Sequence, residues 1–364
     1  MGVQGPDLGR TDERNLEARV SVVIPARNEE ANIARVLRSL AGQQSIREIL
    51  VVDDQSEDRT SGILAELSGE IPRLRTLHMQ SLPEGWLGKT HAVAEGARAA
   101  TGDWLLFTDA DTDHLPGSLA ELLGRAEEEH ADLLSVSPGQ ETPTWWEKSV
   151  IPTVYVELSR LFQFEDVSDP KSSAAAANGQ YVLVRREVYE RSGGHEAVKS
   201  EILEDVELAR RIKSQGGKLL FLPGARWVRT RMYRSFGEMW RGWSKNLYLL
   251  YAGNLRRMLE AVASLWLLDV VPVLGMVGAC LWLALGRGGM RAEYMMLGCV
   301  VLGLWRWWTY RRALARLGFD RALGAYQVIG ALLVGLLVLN SARAHLATGR
   351  VEWKGRHYAT KGPK

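Results

Sequence analysis

With 364 residues the chain can bury a large core in two or three modules, and its formal net charge of only +2 removes any global electrostatic case for a nucleic-acid partner. Its two cysteines, Cys280 and Cys299, both fall in apolar stretches, which excludes a disulfide framework and leaves them as small core hydrophobes in a reducing setting. Carboxylates crowd the first two thirds of the chain, and Arg and Trp the last third.

Residues 1–18 hold no apolar core, so they read as a disordered lead-in rather than a cleaved signal or an anchor. The apolar run 20–24 is the first expected strand, stopped by Pro25. Asn28 is placed to cap a helix whose first turn holds Glu29 and Glu30 and whose apolar positions Ile33, Val36, Leu37 and Leu40 recur at helical spacing. A second buried strand, 49–52, runs straight into Asp53-Asp54-Gln55-Ser56, with a helix from about Asp58. Strand, acidic end and helix thus occur twice, the pattern of a parallel sheet with short right-handed crossovers. A strand at 74–79 and a loop lead to the helix 91–100. Lys89, at the start of that helix beside Gly88, reads equally as a phosphate contact or as a surface lysine on a turn.

The pattern centres on 101–111, TGDWLLFTDAD. A turn precedes a four-residue apolar run that reads as a buried strand, and the strand ends in Asp109 and Asp111. Open parallel sheets bind ligands just beyond such strand ends. Two carboxylates there repel each other unless a cation sits between them, and hard oxygen ligands suit Mg²⁺ or Mn²⁺ completed by substrate phosphates. Asp113 is placed to cap the next helix near Pro116, and His114 reads as a packing or capping residue ahead of a metal ligand. A strand at 133–137 follows. The helix 145–164, with paired tryptophans at its front, reads as a membrane-interface helix ahead of a core helix.

Small residues and Asn178-Gly179 precede a strand at 181–184, a composition that permits close approach of a ligand or a second backbone. Glu204-Asp205 opens an amphipathic helix that stops at Gly216-Gly217; from the residues alone, the helix dipole accounts for both carboxylates. From 226 to 245 six cations face one Glu among Trp, Tyr and Phe, which suits a single-stranded nucleic-acid groove, a phospholipid surface or a clamp on a diphosphate. The apolar runs 259–285, 294–305 and 323–339, flanked by Trp and Arg, decide for the membrane. The positive-inside rule places both the arginine-rich stretch 306–321 and the basic tail in the cytoplasm, which one crossing at 323–339 does not satisfy. A split of 259–285 at Pro272, or a run 294–305 that does not cross, would resolve this, and both stay open.

The motifs VSVVIPARNEEANI, ILVVDDQSEDRT, GDWLLFTDADTDHLP and ILEDVELARRI resemble, in order, those of family 2 glycosyltransferases over about residues 20–230. The loop EGWLGKTHAVAEGA, the segment RSFGEMWRGWSKN and the tail VEWKGRHY resemble the membrane-bound hopene-associated glycosyltransferases and, less closely, the carotenoid glycosyltransferases. The resemblance implies an α/β chain of GT-A fold (Rossmann-like, a mostly parallel sheet with helices on both faces) followed by C-terminal transmembrane helices. The expected division is a lead-in at 1–18, a catalytic domain at 19–230, a basic and aromatic interfacial region at 231–257, a transmembrane region at 258–346 and a basic tail at 347–364.

By the same resemblance, Glu29 and Asp54, with Pro25 and Asp53 beside them, hold the nucleoside of a nucleotide-sugar donor, a UDP-sugar first. Lys89 meets the base or diphosphate, Arg241 touches the diphosphate, and Asp109 and Asp111 bind Mg²⁺ or Mn²⁺. Asp205 is the general base, supported by Glu204. One base and one attack imply an inverting transfer. The acceptor class is a hopanoid or other polyisoprenoid, with polyprenyl phosphate, carotenoid or glycerolipid as alternatives, and a non-catalytic nucleotide-sugar-binding membrane protein as the reading of another class. The implied location is a bacterial-type inner membrane, multi-pass, with the catalytic domain cytoplasmic and no nucleic acid involved. The chain departs from membrane polysaccharide synthases at their Q-x-x-R-W motif: Glu238, Arg241 and Gly242 stand there, with Trp243 one place late, which favours a single transfer over polymer synthesis.

Overall fold

The computed structural model describes residues 19–286, 289–348, 350–353 and 356–359, with side chains described up to residue 346. The expected lead-in 1–18, and Lys354 and residues 360–364 of the tail, lie outside the described residues. The strands of the first part are β1 (Val20–Ala26), β2 (Ile46–Asp53), β3 (Leu74–His78), β4 (Trp104–Phe107), β5 (Thr112–His114), β6 (Leu133–Ser137), β7 (Gly139–Gln140), β8 (Val182–Arg185), β9 (Leu219–Pro223) and β10 (Val228–Thr230). Among them run α1 (Ile33–Ala41), α2 (Thr60–Glu70), α3 (Gly88–Ala99), α4 (Ser118–Glu128), α5 (Trp145–Leu161), α6 (Phe164–Ser168), α7 (Arg186–Arg191) and α8 (Glu204–Ser214). Beyond lie α9 (Phe236–Leu250), α10 (Leu255–Leu265), α11 (Val271–Ala284), α12 (Gly289–Arg316) and α13 (Gln327–Thr348), then the hairpin β11 (Arg350–Trp353) and β12 (Arg356–Ala359).

Seven strands form one sheet in the order β3-β2-β1-β4-β8-β6-β9, and β5-β10-β7 form a second, smaller sheet. In the seven-stranded sheet neighbours are parallel except at β8, which runs antiparallel to both β4 and β6. The central strands read as unbroken apolar runs because both faces are covered. Val22, Ile24, Ile49 and Val51 meet α1, α2 and α4 on one side, while Val23, Leu50, Leu105 and Phe107 meet α3 and α8 on the other.

Local expectations shift at several points. Pro25 lies inside β1, opposite Val52, and does not stop it. The β4 pairing ends at Val23, so Pro25 sits where β1 has a neighbour on one side only, and a missing N–H is tolerated there. Asn28 does not cap α1, which begins at Ile33; it adopts a left-handed φ of 54° and its Oδ1 accepts from Glu57 N–H at 2.8 Å. Asp113 belongs to β5, and Gly117, at φ 75°, precedes α4 in place of a side-chain cap.

A third core lies outside the sheet. The helix α5 is buried along most of its length rather than laid on an interface; only Trp145, at 57 % exposure, and Arg160, near its end, point out. It packs with α9, α10, α12 and α13. The contact with α13 is close: a Cβ on Gly330 would come within 2.3 Å of the Ser149 carbonyl oxygen, so only glycine lets the two backbones approach. Thr153 and Tyr310 hydroxyls bond at 2.9 Å and tie α5 to α12 beside it.

The stretch from α10 to α11 is one apolar helix, Leu255–Ala284, interrupted by a π-helical turn at Trp266–Val270, so Pro272 does not split it into a re-entrant pair. That turn buries Asp269, which accepts two bonds from the Arg306 guanidinium at 2.8 Å and one from Gln327 Nε2 at 2.8 Å. Two helices, Leu255–Ala284 and Arg321–Leu346, are long and apolar enough to cross a bilayer by length and composition.

Candidate active site

Because β1, β2 and β4 are parallel, their carboxyl ends open on one edge of the sheet, and the acidic loops that follow them converge. The first two loops lace together: Glu29 N–H donates to Thr60 Oγ1 at 2.8 Å, and Arg59 N–H to Glu30 Oε2 at 3.1 Å. Asp53 turns inward, accepting from Ser56 N–H at 3.0 Å and Ser61 Oγ at 2.5 Å. Burial alone would raise its pKa; those bonds outweigh it and hold the carboxyl below its usual value. Asp53 therefore shapes the loop, whereas Pro25, Glu29, Asp54, Asp109 and Asp111 line an open cleft of about 820 Å³.

The facing wall comes from the segment between β10 and α9 and from α9 itself, with Arg231, Arg234, Arg241 and Lys245. Arg231 is held by Glu147 of α5 at 2.9 Å. Arg234 reaches across the cleft to Asn32 Oδ1 at 2.6 Å. Arg241 is exposed on the cleft wall.

A second space of about 250 Å³ lies on the other side of Lys89 and Asp109. Its walls are apolar, with Tyr155 and Leu158 of α5 and Phe162 just past its end, then Phe164, Phe221, Trp243, Leu250 and Leu317, and Glu204 and Asp205 open into it. Polar cleft and apolar cavity share Lys89, Asp109, Gln180, Met232, Lys245 and Asn246.

At that junction Lys89, in the first turn of α3, sits 2.9 Å from Asp109 Oδ1 and 3.1 Å from Glu204 Oε1. Burial disfavours its charge, but Asp109, Glu204 and Asp205 together outweigh burial and hold its pKa well above the usual lysine value. Asp205 accepts from Gly179 N–H at 2.7 Å and from Val206 N–H at 2.8 Å. Burial first, then the neighbouring Glu204 charge, push the Asp205 carboxyl up to about 6 against the pull of Lys89. A Cβ on Gly179 would stand 3.1 Å from Lys89 Nζ and 3.3 Å from Asp205 Oδ2, so glycine is what lets the strand lead-in approach the pair. Burial pushes Lys245 down to about 8.

His114 is a core residue: its Nε2 lies 3.1 Å from Thr108 Oγ1, and burial pushes its pKa down to about 3, so the ring is neutral. Among the described residues no group of three or more His, Cys, Asp or Glu is gathered to hold a metal unaided. Asp109 and Asp111 on one cleft wall nevertheless fit Mg²⁺ or Mn²⁺, which commonly take one or two carboxylates and complete their shell with water and phosphate oxygens.

The sequence reading, through the family resemblance for Glu204 and Asp205, names Lys89, Asp109, Glu204 and Asp205, which the fold assembles at one point. It misses Gln180, Lys245 and Asn246, whose only signal is the Asn178-Gly179 turn for the first and a basic helix for the others.

A mostly parallel sheet with one antiparallel strand, helices on both faces and carboxylates at the ends of its central strands defines a GT-A fold. Residues 21–193 match the family model of glycosyl transferase family 2, and the chain carries a glycosyltransferase domain of that family. Among curated proteins it is similar to the 4,4'-diaponeurosporenoate glycosyltransferases of Staphylococcus aureus: 26% identical over 345 residues in strain MRSA252, covering 93% of this chain and 88% of the relative. The strain USA300 protein is 26% identical over 347 residues with the same coverage, 93% and 88%. Among solved structures it is similar in fold to the mannosyltransferase PcManGT from Pyrobaculum calidifontis in complex with GDP-Man and Mn²⁺, 21% identical, with a TM-score of 0.51 and 87% of both chains covered.

Proposed function

We propose that the chain moves a sugar, with inversion, from a nucleoside-diphosphate donor, a UDP-sugar first, to a hydroxyl of an apolar lipid, a hopanoid or other polyisoprenoid, at a membrane surface. The observation that carries this reading is the meeting, at Lys89 and Asp109, of a polar, carboxylate-lined cleft with an apolar cavity into which Asp205 opens. In it Glu29 and Asp54 hold the nucleoside end, Asp53 shapes their loop, and Lys89 and Arg241 face the diphosphate. Asp109 and Asp111 hold a divalent cation, Mg²⁺ or Mn²⁺, which supplies charge neutralisation for the departing diphosphate. The lipid body fills the cavity beside Tyr155 and Phe162, bringing its hydroxyl to Asp205. There Asp205, anionic above pH about 6, accepts the hydroxyl proton as the oxygen attacks the anomeric carbon from the side opposite the leaving group. Glu204 stays on Lys89 and keeps that cation in place.

The relatives named for diaponeurosporenoate favour a second reading, in which the acceptor is a carboxylate. A carboxylate is already ionised and needs no base, so the two readings part on one variant. Full-length protein in membranes is supplied with a panel of UDP- and GDP-hexoses, and the lipid extract is examined by mass. A hydroxyl-linked glycolipid made by native protein and lost in Asp205→Asn supports the first reading; a sugar ester made equally by both supports the second. No transfer with any donor would defeat both.

A further inference from the structure

Resting on the membrane reading above, we propose that the α11–α12 hairpin alone enters the bilayer, while α13, apolar as it is, stays against the catalytic face, so that the tail and the loop before α13 share one side of the membrane. Large apolar side chains stand exposed along both limbs of the hairpin: Leu274, Val277 and Leu281 on α11, and Leu297, Val301 and Leu304 on α12. A contiguous apolar surface of this kind marks a membrane or partner contact. The contrast with α13 is quantitative: the most apolar window of the first long helix is 17% buried, and that of the segment containing α13 is 50% buried.

Both halves of α13 are fixed to elements of the catalytic side. Gly330 lies against Ser149 and Thr153 of α5. Eleven positions on, Ser341 Oγ donates to the Ser244 carbonyl of α9 at 2.6 Å and accepts from Tyr248 N–H at 2.9 Å, and His345 Nε2 meets the Lys245 carbonyl at 2.8 Å. A helix pinned near both ends to one layer does not carry its far end through a bilayer. At the base of the hairpin the Asp269–Arg306–Gln327 cluster closes the seam, and Arg311 and Arg312 lie over the Trp307 and Trp308 rings at 4.4 and 4.6 Å. Trp stacked with Arg suits the headgroup layer, where aromatic rings anchor and cations meet anionic lipid. Charge and apolar surface together therefore favour a bilayer over a second copy as the occupant. The arrangement also satisfies the positive-inside rule for 306–321 and for the tail at once. Leu317, which follows the last turn of α12, and Leu250, which ends α9, wall the apolar cavity, so the acceptor is drawn from the leaflet nearest the catalytic domain.

The test uses the full chain with Cys280→Ser and Cys299→Ser, and one cysteine returned at a time: Glu66→Cys in the catalytic domain, Arg316→Cys before α13, or a cysteine appended after Lys364. An impermeant maleimide is applied to intact cells and to inverted vesicles. Labelling of all three from the same side is expected; the appended cysteine labelling from the side opposite Glu66→Cys would overturn the proposal. Recovery of the chain as a detergent-free soluble oligomer would assign the hairpin to a second copy and defeat the membrane reading itself. In that case the glycosyl-transfer reading is judged separately, by donor turnover.

Discussion

Lys89 Nζ lies 2.9 Å from Asp109 Oδ1 and ties that carboxylate, 20 positions away in sequence, to Glu204 at 3.1 Å. One ammonium thus joins the carboxylate edge of the sheet, where a divalent cation is proposed, to the helix that carries the proposed base. Its positive charge also holds the Asp205 pKa lower than burial and Glu204 would leave it.

Lys89→Met should therefore move the acid limb of kcat/KM to higher pH than in the native protein, because Asp205 loses the charge that favours its ionised form. Donor affinity should fall in parallel. A pH–rate profile with the limb unmoved would show that Lys89 and Asp205 are not electrostatically linked.

For the native protein, kcat/KM should rise tenfold per pH unit below about 6 and level off above it, since a carboxyl raised to about 6 is protonated, and useless as a base, on the acid side. Asp205→Asn should lose about 10²- to 10⁴-fold in turnover, the usual worth of a positioned base, with donor affinity retained. Glu204→Gln should cost less turnover and act mainly through Lys89. Turnover and donor affinity measured on both variants separate the base from its neighbour.

Asp111→Ala should leave the fold intact, because Asp111 lies in the cleft wall outside the three apolar cores, and should abolish stimulation by added Mn²⁺ or Mg²⁺. The check is activity with chelator and with metal restored, beside the melting temperature. Native activity indifferent to chelator would remove the metal from the mechanism.

Asp269→Asn breaks a bidentate contact with a buried arginine and should destabilise the chain by about 3–5 kcal/mol, the cost of leaving one charge of a buried pair without its partner. Replacing both partners, Asp269→Leu with Arg306→Met, should recover much of that loss. Melting temperatures of the full chain in one detergent, compared across the two variants, give the answer.

The sheet was legible because its central strands are buried on both faces and each ends in carboxylates: the runs before Asp53 and Asp109 need no partner information to be seen as strands. Asp205 was legible only through family likeness, since a first-turn carboxylate satisfies the helix dipole whether or not it moves a proton. Gln180 and Asn246 were illegible for a different reason. They are 66 positions apart and become neighbours of one space only when α9 folds over the end of β8. Trp145-Trp146 misled in the same way: paired tryptophans look interfacial until the helical layer of α9, α10, α12 and α13 supplies a second apolar surface and one of them, Trp146, is buried. Asn28 and Asp113 show the limit of capping rules, because their polar neighbourhoods were claimed by a loop and by an edge strand of the smaller sheet before a helix began.

The close seating of Gly330 on α5 bears on how this architecture is divided. The strands flanking α5 belong to the two sheets, yet its side chains belong to the helical layer of α9, α10, α12 and α13 downstream. The working modules are therefore not consecutive stretches of chain. A chimera that exchanges the C-terminal helices with those of a relative at a single junction near residue 250 would set a foreign α13 against the resident α5, and the first clash would fall at Ser149. Exchange should succeed only when residues 145–161 travel with the C-terminal helices, a two-segment graft in which acceptor preference moves with the anchor while the donor end stays behind.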